Sequence, residues 1–323
     1  MAYFKTYPIH TFIIVLGLFL CYNCSSSKQY SPIDDFNTAK DIEAFVHRLT
    51  PQNKYFTVNQ SLYFEHSNCR QVVQALGIKP WYKSDIDGNG YNDLLVHSRW
   101  QQTNYLAVLM VFPENQYALK MISDEGCNCA RPTQTTQHTL IEFFHFDDTL
   151  YQKSWFNIMS FTRQFNQLPI HTIDPYRDTL VYKFGEVIEY HSTTTIQEVT
   201  SLHFKTLSCL GHCPIFEMRI NQDQTATYHA IKDRLRKGKF KANIDQIEFR
   251  KLMGLLQYIQ VKSLKDQYKR NDLTEPVTEL IIHFRDGTTK KITDASYQGT
   301  RGLGQLYHLL IDLRKNQSWE SIQ

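Results

Sequence analysis

The chain has 323 residues, 42% of them hydrophobic and 13% aromatic, which is enough apolar surface for ordinary globular cores and excludes a disordered chain. At roughly 100–200 residues per domain, this length suggests two domains. Thirty-five Lys and Arg against 32 Asp and Glu leave a net charge of +3, too small an excess to point to nucleic acid as a partner.

The first element is an unbroken apolar run, Phe12–Leu20, after a short polar stretch containing Lys5. It is too short to span a bilayer, which needs about 20 apolar residues, and it fits the hydrophobic region of a signal peptide. Cys21-Tyr22-Asn23-Cys24 follows, and then Ser25-Ser26-Ser27-Lys28. A cysteine before a serine-rich tether is the pattern of a bacterial lipoprotein, whose cysteine takes a diacylglycerol and palmitate-type acyl chains and becomes the new N-terminus. Lipobox patterns place Leu three positions before that cysteine and a small residue directly before it. Cys21 has Leu18 at the third position but Leu20 beside it, whereas Cys24 has Cys21 and Asn23. The serine tether favours Cys24, with Cys21 as the alternative. The expected address is the bacterial cell envelope, lipid-anchored at the outer membrane and facing the periplasm or the surface.

Residues 24–37 read as a polar lipidated tether. Thr38–Leu49 predicts a helix with Ile42, Phe45 and Val46 on one face, ended by Pro51. From about 55 to 198 the pattern is mostly strand: Asp93–Ser98, Tyr105–Phe112, Tyr117–Ile122, Leu140–Phe146 and Thr179–Tyr190, the last folded at Phe184-Gly185-Glu186.

Within this β-rich part lies Asp85-Ile86-Asp87-Gly88-Asn89-Gly90-Tyr91-Asn92-Asp93. Oxygen side chains at alternate positions, glycine for a sharp turn and a closing carboxylate suit Ca²⁺. The expected ligands are Asp85, Asp87, Asn89 and Asp93, with a backbone carbonyl near Tyr91, and the ion would be structural. The loop is shorter than an EF-hand and resembles the Asp-x-Asp-x-Asn-Gly-x-x-Asp-Leu loops of β-propeller blades. Turn chemistry alone selects the same residue types, so an ion-free turn stays open.

From residue 199 onward the pattern changes. Ile215–Ile220 alternates, with Phe216, Met218 and Ile220 on one side, and Thr225–Ala230 returns after a turn. A basic stretch, Lys232 to Lys241, can meet anionic lipid heads or form a solvated hairpin. Asn243 or Asp245 caps a helix to about Ile259 that buries Ile244, Ile247, Leu252, Leu255 and Ile259. Val277–Phe284 and Thr289–Thr293 form a hairpin around Arg285-Asp286-Gly287. A last helix, Gly302–Lys315, buries Leu303, Leu306, Tyr307, Leu310 and Leu313. Gly299–Gly304 can offer its helix N-terminus to an anion or serve as a plain glycine-rich helix start.

The expected class is therefore α+β. Residues 1–23 are a signal peptide, 24–37 a tether and 38–198 a β-rich domain. Residues 199–323 form a smaller domain of order ββ-α-ββ-α, an antiparallel sheet with helices on one face.

The segment Cys209-Leu210-Gly211-His212-Cys213-Pro214-Ile215-Phe216 runs straight into a strand. Together with Val277–Ile282, Asp286-Gly287, Lys291–Asp294 and Gly302-Leu303, it resembles a domain of unknown function in Bacteroidota lipoproteins, marked by Cys-x-Gly-x-Cys-Pro-x-Phe/Tyr. The resemblance covers about 199–323 and implies a fold and a compartment but no activity. Cys209 and Cys213 are expected to form a disulfide in an oxidising compartment, with Gly211 supplying the turn. The alternative is thiol-redox or Cu(I) chemistry at the same pair, with His212 and His203 as further ligands. A strand rather than a helix follows the pair, so no helix N-terminus lowers the thiol pKa. Of the other cysteines, Cys127 and Cys129 are too close to bridge each other, and one of them pairs with Cys69 in the simplest arrangement.

The sequence holds no Gly-x-Ser-x-Gly, His-Glu-x-x-His or Gly-Lys-Ser/Thr motif. A non-catalytic role in binding or scaffolding is expected, with the membrane and an envelope protein or glycan as partners and no nucleic acid. A hydrolase with an unrecognised site is a further alternative.

Overall fold

The structure is a computed structural model that describes residues 28–63, 69, 73–101, 103–124, 128–145, 176–207, 214–268, 277–295 and 297–322. Helix α1 (Ala39–Leu49) forms as its sequence predicts. Thr38 and Asp41 make a reciprocal capping box, and Ala39, Ile42 and Val46 are buried. Within the stretch expected to be a tether, residues 31–36 pack on the fold. Ser31 caps a 3-10 turn, Pro32–Asp35, and Ile33 and Phe36 are buried beside α1. Two apolar side chains within a polar stretch suffice to draw it onto the core.

Sheet A contains β1 (Phe56–Val58), β2 (Trp81–Ser84), β3 (Asp93–Trp100), β4 (Thr103–Phe112) and β5 (Gln116–Asp124). Its order is β1-β3-β4-β5, and β2 pairs with the first half of β3. Strands β3 and β4 are apolar on both faces because both faces are covered. Leu94, Val96, Ala107, Leu109 and Val111 face α1, whereas Leu95, Leu106, Val108 and Met110 face the next layer. That layer is sheet B, an antiparallel meander of β6 (Asn128–Gln134), β7 (Thr139–His145), β8 (Tyr176–Lys183) and β9 (Glu186–Glu189). Phe184 and Gly185 join β8 to β9 with φ of 56° and 85°, a two-residue turn of the type that matches strand twist.

His97 links sheets A and B. It is 2% exposed, and its Nε2 accepts the Ala130 N–H at 3.1 Å, which leaves Nδ1 to donate to the Pro80 carbonyl at 3.3 Å. Burial pushes its pKa down to about 4, with bonds to the Pro80 and Lys79 backbone pulling the other way.

Sheet B also alternates. Ile141, Leu180 and Val187 face sheet A, and Leu140, Val181 and Ile188 face the opposite way onto two helices, α2 (Gln246–Tyr258) and α3 (Arg301–Asn316). Those helices cover one face of an eight-stranded sheet C. Its strands are β10 (Val199–Thr206), β11 (Ile215–Asn221), β12 (Thr225–Lys232), β13 (Gly238–Asn243), β14 (Gln267–Tyr268), β15 (Val277–Phe284), β16 (Thr289–Ala295) and β17 (Glu320–Ile322). Their order is β14-β16-β15-β10-β11-β12-β13-β17, antiparallel except for the β14–β16 pair. The layers stack as α1, sheet A, sheet B, α2 with α3, and sheet C.

This is an α+β fold, with more strands in its C-terminal sheet than the expected ββ-α-ββ-α. The added β10 lies at the centre of sheet C, paired to β11 and β15. The boundary expected at 198/199 falls between sheets B and C, and one apolar cluster crosses it. Asp245 caps α2 by accepting from the Ile247 and Glu248 amides. Ile247, expected in the core, is 67% exposed because it occupies the first turn on the outer side. All five predicted core positions of α3 are buried.

The helix layer is held to sheet B by polar contacts of defined geometry. The Glu189 carboxylate accepts from the first two amides of α3, Arg301 N at 2.5 Å and Gly302 N at 2.8 Å. A helix start leaves such amides without partners, and a negative charge there also meets the positive end of the helix dipole. Gly302 permits this approach, since a Cβ would lie 2.5 Å from Ile259 Cγ2 and 3.3 Å from Glu189 Oε2. Gln305 Nε2 donates to the Phe184 carbonyl at 2.7 Å. The Phe184 ring seats against Gly254, where a Cβ would come within 3.1 Å of it.

Replacing Glu189 with Ala strands two amides and removes a favourable charge. A loss of about 2–3 kcal/mol is expected in urea unfolding, with Glu189→Gln losing less. For His97, the folded pKa lies below the ordinary 6.5, so the unfolded chain binds the proton first as pH falls. Its stabilising contribution is complete above about pH 6.5 and is lost towards pH 4. The stability difference between the parent chain and His97→Gln, measured by unfolding from pH 7 to 4, is expected to shrink as pH falls, on top of whatever slope the two chains share from other groups.

Candidate metal centre

The loop from Asp85 to Asp93 joins β2 to β3, and its residues turn inward because backbone amides need acceptors. Gly88 and Gly90 take φ of 78° and 94°. The Asp85 carboxylate accepts from the amides of Gly88 at 2.8 Å, Asn89 at 3.1 Å and Gly90 at 2.9 Å. The Asp93 carboxylate is fully buried and accepts from Ile86 N at 2.8 Å and Val111 N at 2.7 Å, tying the loop to the end of β4. Asp87 accepts from both the amide and the side-chain nitrogen of Asn89.

One carboxylate oxygen from each of Asp85, Asp87 and Asp93 lies within 4.8 Å of the others. Burial raises Asp87 to about 6, offset by the Asn89 amide and reinforced by the charge of Asp85. Burial likewise raises Asp93 to about 7 against its two amide bonds, with Asp87 and Asp85 adding repulsion. The neighbouring Tyr182 phenol is pushed up to about 12 by burial and then by the charges of Asp87, Glu186 and Asp93. Three close carboxylates with only neutral donors around them form an all-oxygen, hard donor set, which fits Ca²⁺ or Mg²⁺ rather than a soft metal. Asp85, Asp87 and Asp93 are the residues that would hold such an ion, and its contribution would be charge neutralisation.

Of the expected ligands, the structure brings the three aspartates together. Asn89 lies beside them: Nδ2 donates to Asp87 Oδ2 at 3.0 Å and to the Val111 carbonyl at 2.7 Å, and Oδ1 accepts from Tyr91 N at 2.8 Å. Sequence reasoning missed the contacts that brace the loop from outside. Thr139 Oγ1 donates to the Asp85 carbonyl at 2.5 Å. Gln29 N donates to the Gly90 carbonyl at 2.9 Å, Ser31 Oγ to the Asn92 carbonyl at 2.9 Å, and Asn92 Nδ2 to Asp34 Oδ1 at 2.5 Å. The N-terminal strap thus lies directly on the loop. Its Ser-Pro-Ile-Asp-Asp run carries a capping signature, but nothing in that run names the distant loop.

The other sequence candidates are spread out. Cys21, Cys24, Cys127, Cys209 and Cys213 lie outside the described residues. Cys69 is buried and disulfide-bonded. Cys129 is buried and free, its thiol pushed up to about 12 by burial against the pull of Arg131. His203 lies on the outer face of sheet C, 3.3 Å from Glu217. The glycine-rich start of α3 does hold an anion, and that anion is the protein's own Glu189.

Calcium is expected to raise the unfolding temperature saturably and reversibly with chelator. At a hundred times the dissociation constant the stabilisation is about 2.7 kcal/mol. Asp87→Asn, which keeps a side-chain acceptor, is expected to abolish the calcium increment while leaving the chelated protein folded. Differential scanning calorimetry with and without calcium reads both.

Residues 200–314 match a domain of unknown function, DUF6438. The match starts in β10 and stops at Arg314 in α3, so it takes in the helix layer and sheet C except for β17. No curated protein matches the chain.

Proposed function

We propose that this chain is a bacterial cell-envelope lipoprotein whose role is binding or scaffolding rather than catalysis. It is held to a membrane through an acylated Cys24, or through Cys21, and carries a structural Ca²⁺ at Asp85, Asp87 and Asp93. The division into a signal peptide, a short tether, a β-rich part and an α+β part belongs to this reading. The address rests on the apolar run Phe12–Leu20 and the serine-rich stretch after Cys24. The strap from Gln29 to Asp34 supports it, because it begins four residues beyond the tether serines' start and fastens at once to the ion loop.

The main support for a binding role is the face of sheet C opposite the helices, which no described helix or sheet covers. Across β15, β10, β11, β12 and β13, one row reads Glu279, Lys205, Glu217, His229 and Lys239. The next reads Ile281, His203, Arg219, Thr227 and Lys241. Ion pairs Lys205–Glu217 and Lys291–Glu279 hold parts of this face in place. A broad polar surface of alternating charge suits an envelope protein or a glycan as partner. The perturbed interior groups have structural employment, as with His97 on the Ala130 amide and Asp294 on the Gln298 and Gly299 amides.

Mass spectrometry of the mature protein purified from its host is expected to find diacylglycerol and acyl chains on Cys24 or Cys21 at the N-terminus. It is also expected to find Cys209 and Cys213 joined to each other. Free, reactive thiols at that pair with bound copper would favour the thiol or Cu(I) alternative. An unmodified Met1 with all thiols reduced would overturn the envelope reading.

A further inference from the structure

We infer that the β12–β13 hairpin, with the last turn of α3, is a second membrane contact that docks on anionic phospholipid headgroups. The inference rests on the anchored reading above and adds a site to it.

Charge is the first observation. The chain as a whole is nearly balanced at +3, yet residues 232–241 hold Lys232, Arg234, Arg236, Lys237, Lys239 and Lys241 against a single acid, Asp233. That acid is not available to neutralise them. Asp233 is 3% exposed at its side chain, accepts from the Tyr228 hydroxyl and from Arg314 Nη1 at 2.6 Å, and takes the Leu235 amide at 3.0 Å. Elsewhere on the molecule several lysines have carboxylate partners, as at Lys262–Asp286, Lys290–Asp266 and Lys291–Glu279. Among the described residues no carboxylate pairs with Lys232, Arg234, Arg236, Lys237 or Lys239.

Apolar exposure is the second. Leu235, between Arg234 and Arg236, is 51% exposed, and Ile231, next to Lys232, is 47% exposed. With Pro214 they wall an open cavity of about 440 Å³ whose remaining rim includes Lys237 and Lys315. Apolar side chains interleaved with lysine and arginine match a headgroup layer, where phosphates meet the cations and acyl chains receive the leucine. Nucleic acid would use the charge but leave Leu235 and Ile231 in water.

Rigidity is the third. The Arg314 guanidinium lies over the Phe216 ring at 5.0 Å, bonds to the Ile311 carbonyl at 3.0 Å and grips Asp233. Arg236 lies over Phe240 at 5.4 Å. The hairpin is therefore held in shape with its apolar tip outward, so docking need not first order the loop.

The test uses the full acylated protein reconstituted into vesicles and carrying Leu235→Trp, with lipids brominated in their acyl chains. Retention of the protein by zwitterionic vesicles reports the anchor alone, and its failure there would count against the anchor rather than the hairpin. With the anchor in place, the added tryptophan is expected to be quenched in vesicles containing phosphatidylglycerol and not in pure phosphatidylcholine. The docking equilibrium should weaken about fivefold for each cation removed, as in Arg234→Gln and Lys237→Gln. It should also fall steeply in about 1 M salt, where charges are screened within roughly 3 Å. Quenching that is absent in anionic vesicles, or equal in both lipids and insensitive to salt, would overturn the inference. Inorganic phosphate at equal charge that blocks quenching would overturn it too, by assigning the cavity to a free anion.

Discussion

The carboxylate of Glu189 resting on the first amides of α3 is the contact from which the arrangement of the layers follows. An α-helix that begins inside a protein must find acceptors for its leading N–H groups, and here they come from a strand more than a hundred residues earlier in the chain. Once that contact is made, α3 has one side against sheet B and the other against sheet C. Arg301 then reaches the Ile122 carbonyl and lies over Phe143, so a single helix start touches both N-terminal sheets. The segment that matches the domain of unknown function is capped by a residue outside it. In this chain the α+β part and the β sandwich are packed through one shared helix layer rather than joined by a linker.

Elements with an unbroken apolar pattern were legible from the sequence, whether they bury one face, as α3 does, or two, as β3 and β4 do, and elements with little apolar pattern were not. Helix α3 repeats its leucines at helical spacing and β11 alternates without a break, so both were placed within a residue or two. Strand β13 buries little, and its lysines hid it within a basic stretch. Strand β10, the centre of sheet C, carries Thr, Ser, His and Lys on its open side, which obscures the Leu202 and Phe204 that it buries. Pairing between strands far apart in the chain is written in no local pattern. The same holds for the loop at Asp85–Asp93. Its carboxylates are legible because their spacing is local, whereas the Val111, Thr139 and Ser31 contacts that hold it are set by the tertiary fold.

Charge is distributed with the same logic. Inside, His97, Asp87 and Asp93 have backbone partners, and burial shifts each toward its neutral form: His97 downward, Asp87 and Asp93 upward. The two kinds of shift act oppositely with pH. As pH falls from neutrality, His97 withdraws stability, while protonation of the aspartates relieves their mutual repulsion. A divalent cation at the loop would achieve the same relief without protons, which makes ion binding most useful where the carboxylates are most fully charged.

Both ends of α3 are fixed by charge of the sign its dipole favours. Glu189 is at the N-terminus, and Arg314 and Lys315 are in the last turn, with Arg314 locked to Asp233. The thirteen residue steps from Arg301 to Arg314, at 1.5 Å each, separate these contacts by about 20 Å. The cationic hairpin is therefore displaced by the length of the helix from the place where the sandwich grips α3. Any change that loosens the start of α3 should also blur the orientation of the hairpin, because the Asp233–Arg314 pair is carried on the same helix.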